Sequence, residues 1–528
     1  MTPDEQRWRL TDALFLGLVI GFALPVVMVR YPPSADYLNH LARLYILGSS
    51  PDAPIRQFYE IHWGLIPNLG VDLLWVALRY VASPETVMKT ALIGATVALG
   101  LSVWFLHRCV FRHTQPTILL CALCLVNLPS TAGMVNFAIG LPLVFLGLGC
   151  WIRMGDTATG RSLLLLNALG VAAYFAHMAA LASLGLTVAA YHCLQEPRSA
   201  RTMVARAARI MPGFLVPTLL AIAGVIAGWH DGTVHSGAAI AFNETKLFTP
   251  LAAFFSGYTA ADVATLCATA AIVVLCRGPI APRLRPVLAV WTLVIVALPT
   301  GIGAATYIDR RLAIVPVMLY LSSIAFQRKL LPAAAVAALA TSLAAIRVLT
   351  LVPAWHLHDA HVRSFRAIDD RIPRGARVIV ASAEAGCGGD QSWDLLEEHL
   401  PSLLTIDRDA FVSTVFAGDG MQPIRWKVSL RGTGEPNVTA PLLTTLETLA
   451  SSSVQVPDVK DSPDVLRSIK TLEGWPERYD YVALRDCLPR QTSIPHLLPI
   501  ARSDTWQIYE IVRSPIAGPG DSFNKPVL

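Results

Sequence analysis

Apolar residues in this sequence are gathered into long runs that short polar segments separate. Eleven of these runs approach the roughly 20 residues that an α-helix needs to cross the hydrocarbon core of a bilayer. They predict a polytopic α-helical membrane protein of about 11 spans. The runs fall near residues 13–29, 86–107, 115–131, 136–152, 162–176, 178–194, 210–228, 260–276, 287–303, 311–326 and 330–352.

The composition changes along the chain. Hydrophobic residues make up 54% of the 528 residues, charged residues 15%, and the mean hydropathy is +0.51. A soluble domain carries about 25% charged residues. Residues 1–353 hold 24 Lys and Arg, whereas the much shorter stretch 354–528 holds 18. We therefore expect a transmembrane domain over 1–353 and a soluble domain over 354–528. The net charge of +5 comes mostly from arginines in short loops, so it reports topology, and no nucleic-acid partner is expected.

The arginines in the short loops indicate the orientation of the chain. If the N-terminus is inside and every run crosses, the inside loops carry 15 Lys and Arg and the outside segments of the same region carry 8. Positive residues concentrate on the cytoplasmic side of a membrane. We therefore predict a multi-pass protein of a bacterial inner membrane, with a cytoplasmic N-terminus and a periplasmic C-terminal domain.

One apolar segment does not fit a simple crossing. Residues 64–81 contain Asn68, Asp72 and Arg79, and a crossing here would move the arginine-rich loop 198–209 to the outside. We predict instead a helix or hairpin at the outer membrane interface. This segment then belongs to an outer interfacial loop over residues 30–85.

The C-terminal stretch has the pattern of a small extracytoplasmic α/β domain. Short β-branched and aromatic runs at 377–381, 479–484 and 506–512 predict strands, and helical patterns lie between them at 393–404 and 463–472. An oxidising compartment would permit a disulfide between Cys387 and Cys487. The other seven cysteines lie in or beside apolar runs and are interpreted as small hydrophobic residues.

The outer loop begins with a run of mixed character, DYLNHLARLYIL, over residues 36–47. Its apolar residues recur at i, i+3, i+4 and i+7, which predicts a short amphipathic helix. Asp36, His40 and Arg43 share another face of that helix. In one interpretation Asp36 is a helix N-cap and the other two are solvated groups near lipid phosphates. In the other, Asp36 is a general base, and His40 and Arg43 help to hold a phosphate at the helix N-terminus.

With these features the chain resembles the GT-C superfamily of integral-membrane glycosyltransferases, such as the protein O-mannosyltransferases and the aminoarabinose transferase of lipid A. The resemblance covers residues 1–353 as an architecture: a first span, a large outer loop with an acid soon after that span, and many further spans. It implies that Asp36 is the catalytic acid. Leu38 stands where several branches carry a second acid, so the requirement for a divalent metal stays open and no metal ligand is assigned.

The resemblance also implies an activity. An inverting enzyme would move a sugar from a polyprenyl-phosphate donor to a lipid, glycan or protein acceptor at the outer face of the membrane. Its leaving phosphate would need cations, and Lys246, Arg310 and Arg311 are predicted at outer positions. Arg310 and Arg311 could instead reach lipid headgroups, with Asp309 pairing with one of them. Arg347, in the last run, is expected to reach the headgroups.

Two other function classes remain open. A transporter or lipid flippase usually shows paired repeats and charged or broken helices near the membrane midplane. A non-catalytic polysaccharide-assembly subunit would use its outer domain for docking. The sequence shows no clear internal repeat, and its polar groups gather at the predicted outer ends of the spans, which favours chemistry at the interface.

Overall fold

The computed structural model of the chain describes residues 3–195, 199–230, 240–241, 246–276, 278–302, 307–327, 330–383, 396–417, 422–427, 443–450, 472, 474–486 and 497–513. The chain forms two compact units. The first unit is Met1–Val362 with Asp390–Leu400 and Phe416–Trp426, and the second is Arg363–Gly389, Pro401–Val415 and Lys427–Leu528. Two short segments from the C-terminal third therefore belong to the first unit.

The first unit is built from helices. They are α1 Pro3–Met28, α2 Tyr37–Gly48, α3 Gly70–Leu78, α4 Pro84–Phe111, α5 Leu128–Thr131, α6 Val135–Arg153, α7 Gly160–Ala176, α8 Met178–Cys193, α9 Ala200–Ile210, α10 Leu215–His230, α11 Thr259–Cys276, α12 Arg285–Ala297, α13 Ile308–Leu312, α14 Ile314–Ser323 and α15 Ala333–Arg366. Two short antiparallel strand pairs accompany them. β1 Tyr59–Ile61 pairs with β6 Ile424–Trp426, and β2 Ile240–Ala241 pairs with β3 Gly301–Ile302.

The membrane class is confirmed, but the count of eleven spans is not. Within the described ranges, six helical stretches are long and apolar enough to cross a bilayer. They are Trp8–Met28, Pro84–Phe111, Val135–Arg153, Ala200–Ile226, Thr259–Cys276 and Ala333–Arg371. Three shorter apolar helical stretches coincide with predicted runs. They are Pro116–Thr131, Gly160–Ala176 and Met178–Cys193.

Proline and tight turns shorten several of the apolar runs. The run near 115–131 forms a 3₁₀ helix over Pro116–Cys124 and the single turn α5. α12 ends after 13 residues, because Leu298 precedes Pro299 and takes the extended conformation that a following proline favours. α14 has 10 residues, or about 15 Å of helix at 1.5 Å per residue.

The ambiguous segment 64–81 contains a short helix. α3 has 9 residues, which corresponds to about 14 Å of helix. That length is half of the hydrocarbon thickness of a bilayer, about 30 Å. The helix is therefore too short to cross the hydrocarbon core by itself, which agrees with the interpretation of a non-crossing segment.

Inside the first unit, Arg347 of α15 forms a buried ion pair with Asp262 of α11. The guanidinium Nη1 lies 2.9 Å from Asp262 Oδ1, and Nη2 donates to the carbonyl oxygens of Val126 and Phe254. Ser256 donates to the same carboxylate through its backbone N–H and its hydroxyl. Arg347 is therefore inside the helix packing, and the expectation that it reaches the headgroups is wrong.

A close backbone contact positions the segment that enters α2. The N–H groups of Ala35 and Asp36 donate to the carbonyl oxygens of Thr131 and Ala132, at 2.9 and 3.4 Å. Gly133 follows directly, with a φ of +79°, and a Cβ added there would lie 2.3 Å from the backbone nitrogen of Asp36. Such a contact is impossible for a side chain, so only glycine permits this approach.

The second unit contains a five-stranded mixed sheet. Its strands are β4 Arg377–Ser382, β5 Phe411–Val412, β7 Tyr481–Arg485, β8 Leu497–Arg502 and β9 Trp506–Ile511, in the order β5-β4-β7-β9-β8. β4 is parallel to both of its neighbours, and β9 is antiparallel to both of its own. The helices of this unit are α16 Leu403–Arg408, α17 Leu443–Ala450 and α18 Trp475–Arg478.

The three strands predicted from sequence are confirmed as β4, β7 and β9, each within a few residues. Their alternating or fully apolar patterns explain why, since all three lie inside the sheet. The helix predicted at 463–472 falls almost wholly outside the described residues, as do Cys387 and Cys487 with the predicted disulfide.

The contact of Gly133 with Asp36 has a matched control. Gly155 has a φ of +80°, but a Cβ added there would meet no other atom within 4 Å. Both Gly133→Ala and Gly155→Ala should lose about 1–3 kcal/mol from the left-handed backbone. Gly133→Ala should lower the unfolding temperature further, because it must also displace Asp36. Thermal unfolding of both variants in the same detergent measures this difference, and equal losses would contradict the contact.

The Arg347–Asp262 pair predicts a large stability effect. Arg347→Met should lower the free energy of unfolding by about 3–5 kcal/mol, because it leaves a buried carboxylate without its countercharge. Adding Asp262→Ala should recover part of that loss, since the buried charge is then gone. Denaturant unfolding in detergent tests both, with Arg161→Met at an exposed position as the control. An Arg347→Met protein as stable as the control would show that the pair is dispensable.

Candidate functional site

Asp36 directly precedes α2, but its side chain does not cap the helix. Its carboxylate makes no hydrogen bond to the first N–H groups of α2, and 26% of the side chain is exposed. The backbone explains this, because φ of −84° and ψ of 1° differ from the extended conformation of a typical N-cap residue. The interpretation of Asp36 as a side-chain N-cap is therefore wrong.

The carboxylate faces a histidine that is distant in the sequence. His399 Nε2 lies 3.4 Å from Asp36 Oδ1, and the Asn39 side-chain amide contacts the other ring nitrogen of His399 at 3.3 Å. His399 lies in one of the two C-terminal segments that belong to the first unit. Neither His399 nor Asn39 is among the site residues that the sequence predicts. Nothing in the local pattern around residue 399 signals such a contact.

The charge of Asp36 controls the titration of His399. Burial by itself would lower the pKa of this imidazole. The hydrogen bond to Asp36 and the negative charges of Asp36 and Glu398 outweigh burial and raise the pKa of His399 above its usual 6.5. The protonation of this imidazole therefore depends on the contact with Asp36.

His40 is buried beside this pair. It hydrogen-bonds to the backbone of Gly133, and its Nδ1 has no hydrogen-bond partner among the residues that the structure describes. Burial, and then the positive charge of Arg43, lower the pKa of His40 well below 6.5. A neutral imidazole brings no positive charge to a phosphate, so the geometry gives little support to the predicted phosphate contact of His40, which stays a prediction.

Arg43 forms an ion pair with a carboxylate on another helix. Its Nε and Nη2 donate to the two oxygens of Asp72 in α3 at 2.8 and 2.9 Å, and Nη1 donates to the side-chain oxygen of Gln422. Neither Arg43 nor Asp72 exposes any of its side chain. The predicted phosphate contact of Arg43 also stays untested, and this burial disfavours it. Arg43 and Asp72 are charged residues inside apolar segments of the predicted outer loop. Buried charges need partners, so the sequence carries a signal for this pair.

Lys246 forms an ion pair as well. Its ammonium lies 2.9 Å from Asp309 Oδ2, and the Thr300 hydroxyl and the Arg310 backbone N–H donate to the same carboxylate. Asp309 thus pairs with Lys246, rather than with either adjacent arginine as the headgroup interpretation held. The guanidinium of Arg310 lies over the ring of Tyr307, 5.7 Å from its centroid.

Arg311 is the predicted cation whose charge reaches Asp36. Burial lowers the pKa of its guanidinium, and the negative charge of Asp36 opposes that effect. An apolar cluster joins the chain before Gly133 to the end of α13. Leu128 of α5 and Ala132, the residue before Gly133, pack with Ala252 and with Ala313, which directly follows α13.

The arrangement combines three features that acid–base chemistry needs. A partly exposed carboxylate can accept a proton, a buried imidazole orients it, and a nearby guanidinium can stabilise negative charge. Within the described parts of the chain, no group of three or more His, Cys, Asp or Glu side chains is placed to hold a metal ion.

Comparisons with known proteins find similarity at the level of structure. No protein-family model and no curated protein matches the sequence. ArnT from Cupriavidus metallidurans, solved by crystallography in the apo state, is 10% identical, with 97% of this chain and 99% of that chain covered and a TM-score of 0.51. The arabinofuranosyltransferase AftD from Mycobacteria is 13% identical, with a TM-score of 0.49, and 97% of this chain covers 40% of the AftD chain.

Both are GT-C membrane glycosyltransferases. At 10% identity the match with ArnT over nearly the full length of both chains shows a shared fold. The resemblance inferred from the segment around Asp36 is thereby confirmed as a likeness of fold: the chain shares the fold of ArnT.

Proposed function

We propose that the protein is a glycosyltransferase that moves a sugar from a polyprenyl-phosphate donor to an acceptor hydroxyl, with Asp36 as the general base. The observation that carries this proposal is the state of the Asp36 carboxylate. It is partly exposed, it makes no helix cap, and it lies against His399 with the charge of Arg311 nearby. The shared fold with a membrane glycosyltransferase supports the same reaction class.

The proposed reaction is a single displacement. Asp36 takes the proton from the acceptor hydroxyl as the oxygen forms a bond to the anomeric carbon of the donor sugar. The bond from that carbon to the phosphate oxygen breaks, and its electron pair leaves with the polyprenyl phosphate. One displacement at the anomeric carbon inverts its configuration, so the enzyme is proposed to be inverting.

Arg311 is the preferred partner for the leaving phosphate. A guanidinium offers a planar fork of donors that matches phosphate oxygens, and the buried guanidinium of Arg311 lies within the electrostatic range of Asp36. Arg310 is its neighbour on α13 and a second candidate. Lys246 and Arg43 already hold Asp309 and Asp72, so we assign them supporting ion pairs in preference to phosphate contacts.

The cellular setting is also proposed. The arginine distribution supports a protein of the bacterial inner membrane with its N-terminus in the cytoplasm and the C-terminal domain, residues 354–528, in the periplasm. In that orientation Asp36 lies at the outer face, where a polyprenyl-phosphate sugar and a lipid, glycan or protein acceptor would meet. The partners are thus the lipid-linked donor, the acceptor and the surrounding membrane lipids.

A transporter or lipid flippase is the alternative. The buried Arg347–Asp262 pair is the observation in its favour, because charges inside membrane helices often mark transport pathways. Yet Ser256 and two backbone carbonyls also contact this pair. These additional hydrogen bonds favour a structural role for the pair and leave the glycosyltransferase as the better-supported function.

Asp36→Asn tests the proposal. The amide keeps the shape of the carboxylate but cannot take a proton, so transfer should fall by about 10²- to 10⁴-fold, the usual contribution of a general base. The assay uses membranes that contain the full-length protein and radiolabelled pentoses and hexoses linked to undecaprenyl phosphate. It measures the radiolabelled sugar that is transferred from these donors to acceptor molecules.

Asp52→Asn is the matched control, because Asp52 is an exposed acid in the same outer loop. The control should transfer at the wild-type rate. Full retention of transfer by Asp36→Asn would remove Asp36 as the base. Movement of the lipid-linked sugar across the membrane without any glycosyl product would favour the transporter instead.

A further inference from the structure

Asn39, His399 and Asp36 lie in one row inside the first unit. Asn39 is fully buried and His399 is 4% exposed. The Asn39 amide contacts His399 Nδ1 at 3.3 Å, and His399 Nε2 contacts Asp36 Oδ1 at 3.4 Å. Asn39 and Asp36 belong to one turn at the start of α2, and the imidazole bridges them from a segment about 360 residues further along the chain.

The hydrogen bonds determine which ring nitrogen carries the proton. The backbone N–H of Phe416 donates to Asn39 Oδ1 at 2.7 Å, so the oxygen of the amide faces Phe416. The NH₂ group of Asn39 then faces His399. An amide NH₂ can only donate, so Nδ1 of the neutral imidazole accepts and Nε2 carries the hydrogen, which points to Asp36.

Aromatic packing holds the imidazole in this orientation. The ring of Phe416 packs edge-on against His399 at a centroid distance of 5.0 Å and against His40 at 6.4 Å. One residue therefore orients the row twice, through its backbone N–H on Asn39 and through its ring on His399. The packing leaves Asp36 as the exposed end of the row.

We propose that His399, held by Asn39 as the Nε2–H tautomer, is the positioning residue for Asp36. The imidazole N–H occupies Oδ1 of the carboxylate, so the acceptor hydroxyl is deprotonated by the other oxygen. His399 takes no proton in the reaction, because both of its ring nitrogens are already engaged. This inference rests on the proposed function, and it assigns the C-terminal third of the chain a part in the site.

The pair with Asp36 makes transfer sensitive to pH. An imidazolium at His399 would hold the carboxylate in an ion pair and make Asp36 a weaker base. The rate should therefore fall as the pH drops through the pKa of His399, which Asp36 and Glu398 raise above 6.5 despite burial. In the described part of the chain, the other charged or titratable groups that face the row are His40, whose pKa burial lowers well below 6.5, and Arg311.

Two conservative variants should shift this acid limb in opposite directions. His399→Gln keeps a donor toward Asp36 but cannot titrate, so the acid limb of the kcat profile should move to lower pH. Asn39→Asp keeps the acceptor for the Phe416 N–H but places a carboxylate beside Nδ1, which stabilises the imidazolium. Its acid limb should move to higher pH. A purely structural role for either residue would shift neither limb.

The size of the effect follows from the role. His399→Ala should lower kcat by about 10- to 100-fold, the range seen when partners that orient a metal ligand are removed. His399→Gln should restore most of this loss. Profiles are recorded from pH 5 to 9 with purified full-length protein and the undecaprenyl-phosphate monosaccharide that transfers fastest in membranes. His356→Gln, an exposed histidine of α15, is the control and should match the wild type.

The outcomes separate this inference from the proposed function. If Asp36→Asn is inactive and the two acid limbs shift in opposite directions, both are supported. If Asp36→Asn is inactive but His399→Gln and Asn39→Asp keep the wild-type profile, the role of His399 is overturned and the function stands. If Asp36→Asn transfers at the full rate, both fall. Should His399→Ala fail to fold, the two conservative variants still decide.

Discussion

The buried ion pair between Arg43 and Asp72 is the interaction on which the geometry around Asp36 depends. Two guanidinium nitrogens meet both carboxylate oxygens, and neither side chain reaches solvent. Removing either partner would leave a buried charge uncompensated, which proteins tolerate badly. The pair therefore holds α2 against α3. Since Asp36 and Asn39 lie at the start of α2, their positions follow from it.

The same physical rule applies to the other cations of the first unit. Arg347 is paired with Asp262 and Lys246 with Asp309, although the sequence placed both cations near lipid headgroups or substrate phosphate. Carboxylates inside an apolar unit attract the nearest long cationic side chain, because an unpaired charge there is more costly than an ordered one. For Arg311, the charge of Asp36 opposes the effect of burial on the pKa of the guanidinium.

The site is assembled from parts that are far apart in the sequence. Backbone carbonyls of Thr131 and Ala132 receive the N–H groups before α2, and Gly133 permits the approach. His399 and Phe416 arrive from segments that lie beyond the last membrane helix and yet belong to the first unit. The C-terminal third is therefore more than a separate domain, because it completes the surroundings of Asp36.

Local sequence patterns were sufficient to predict the membrane class, the short helix after Asp36 and three strands of the sheet. Burial of one face of a helix or strand produces a periodic pattern of apolar residues. These local patterns also predicted Asp36 as a site residue at the start of this helix. They could not yield the number of crossings, because proline and 3₁₀ turns divide apolar runs without changing their hydropathy. Nor could they show that Arg43 forms an ion pair with Asp72 or that His399 faces Asp36. Those contacts join residues that only packing brings together, and a side chain's role follows from the partner it meets.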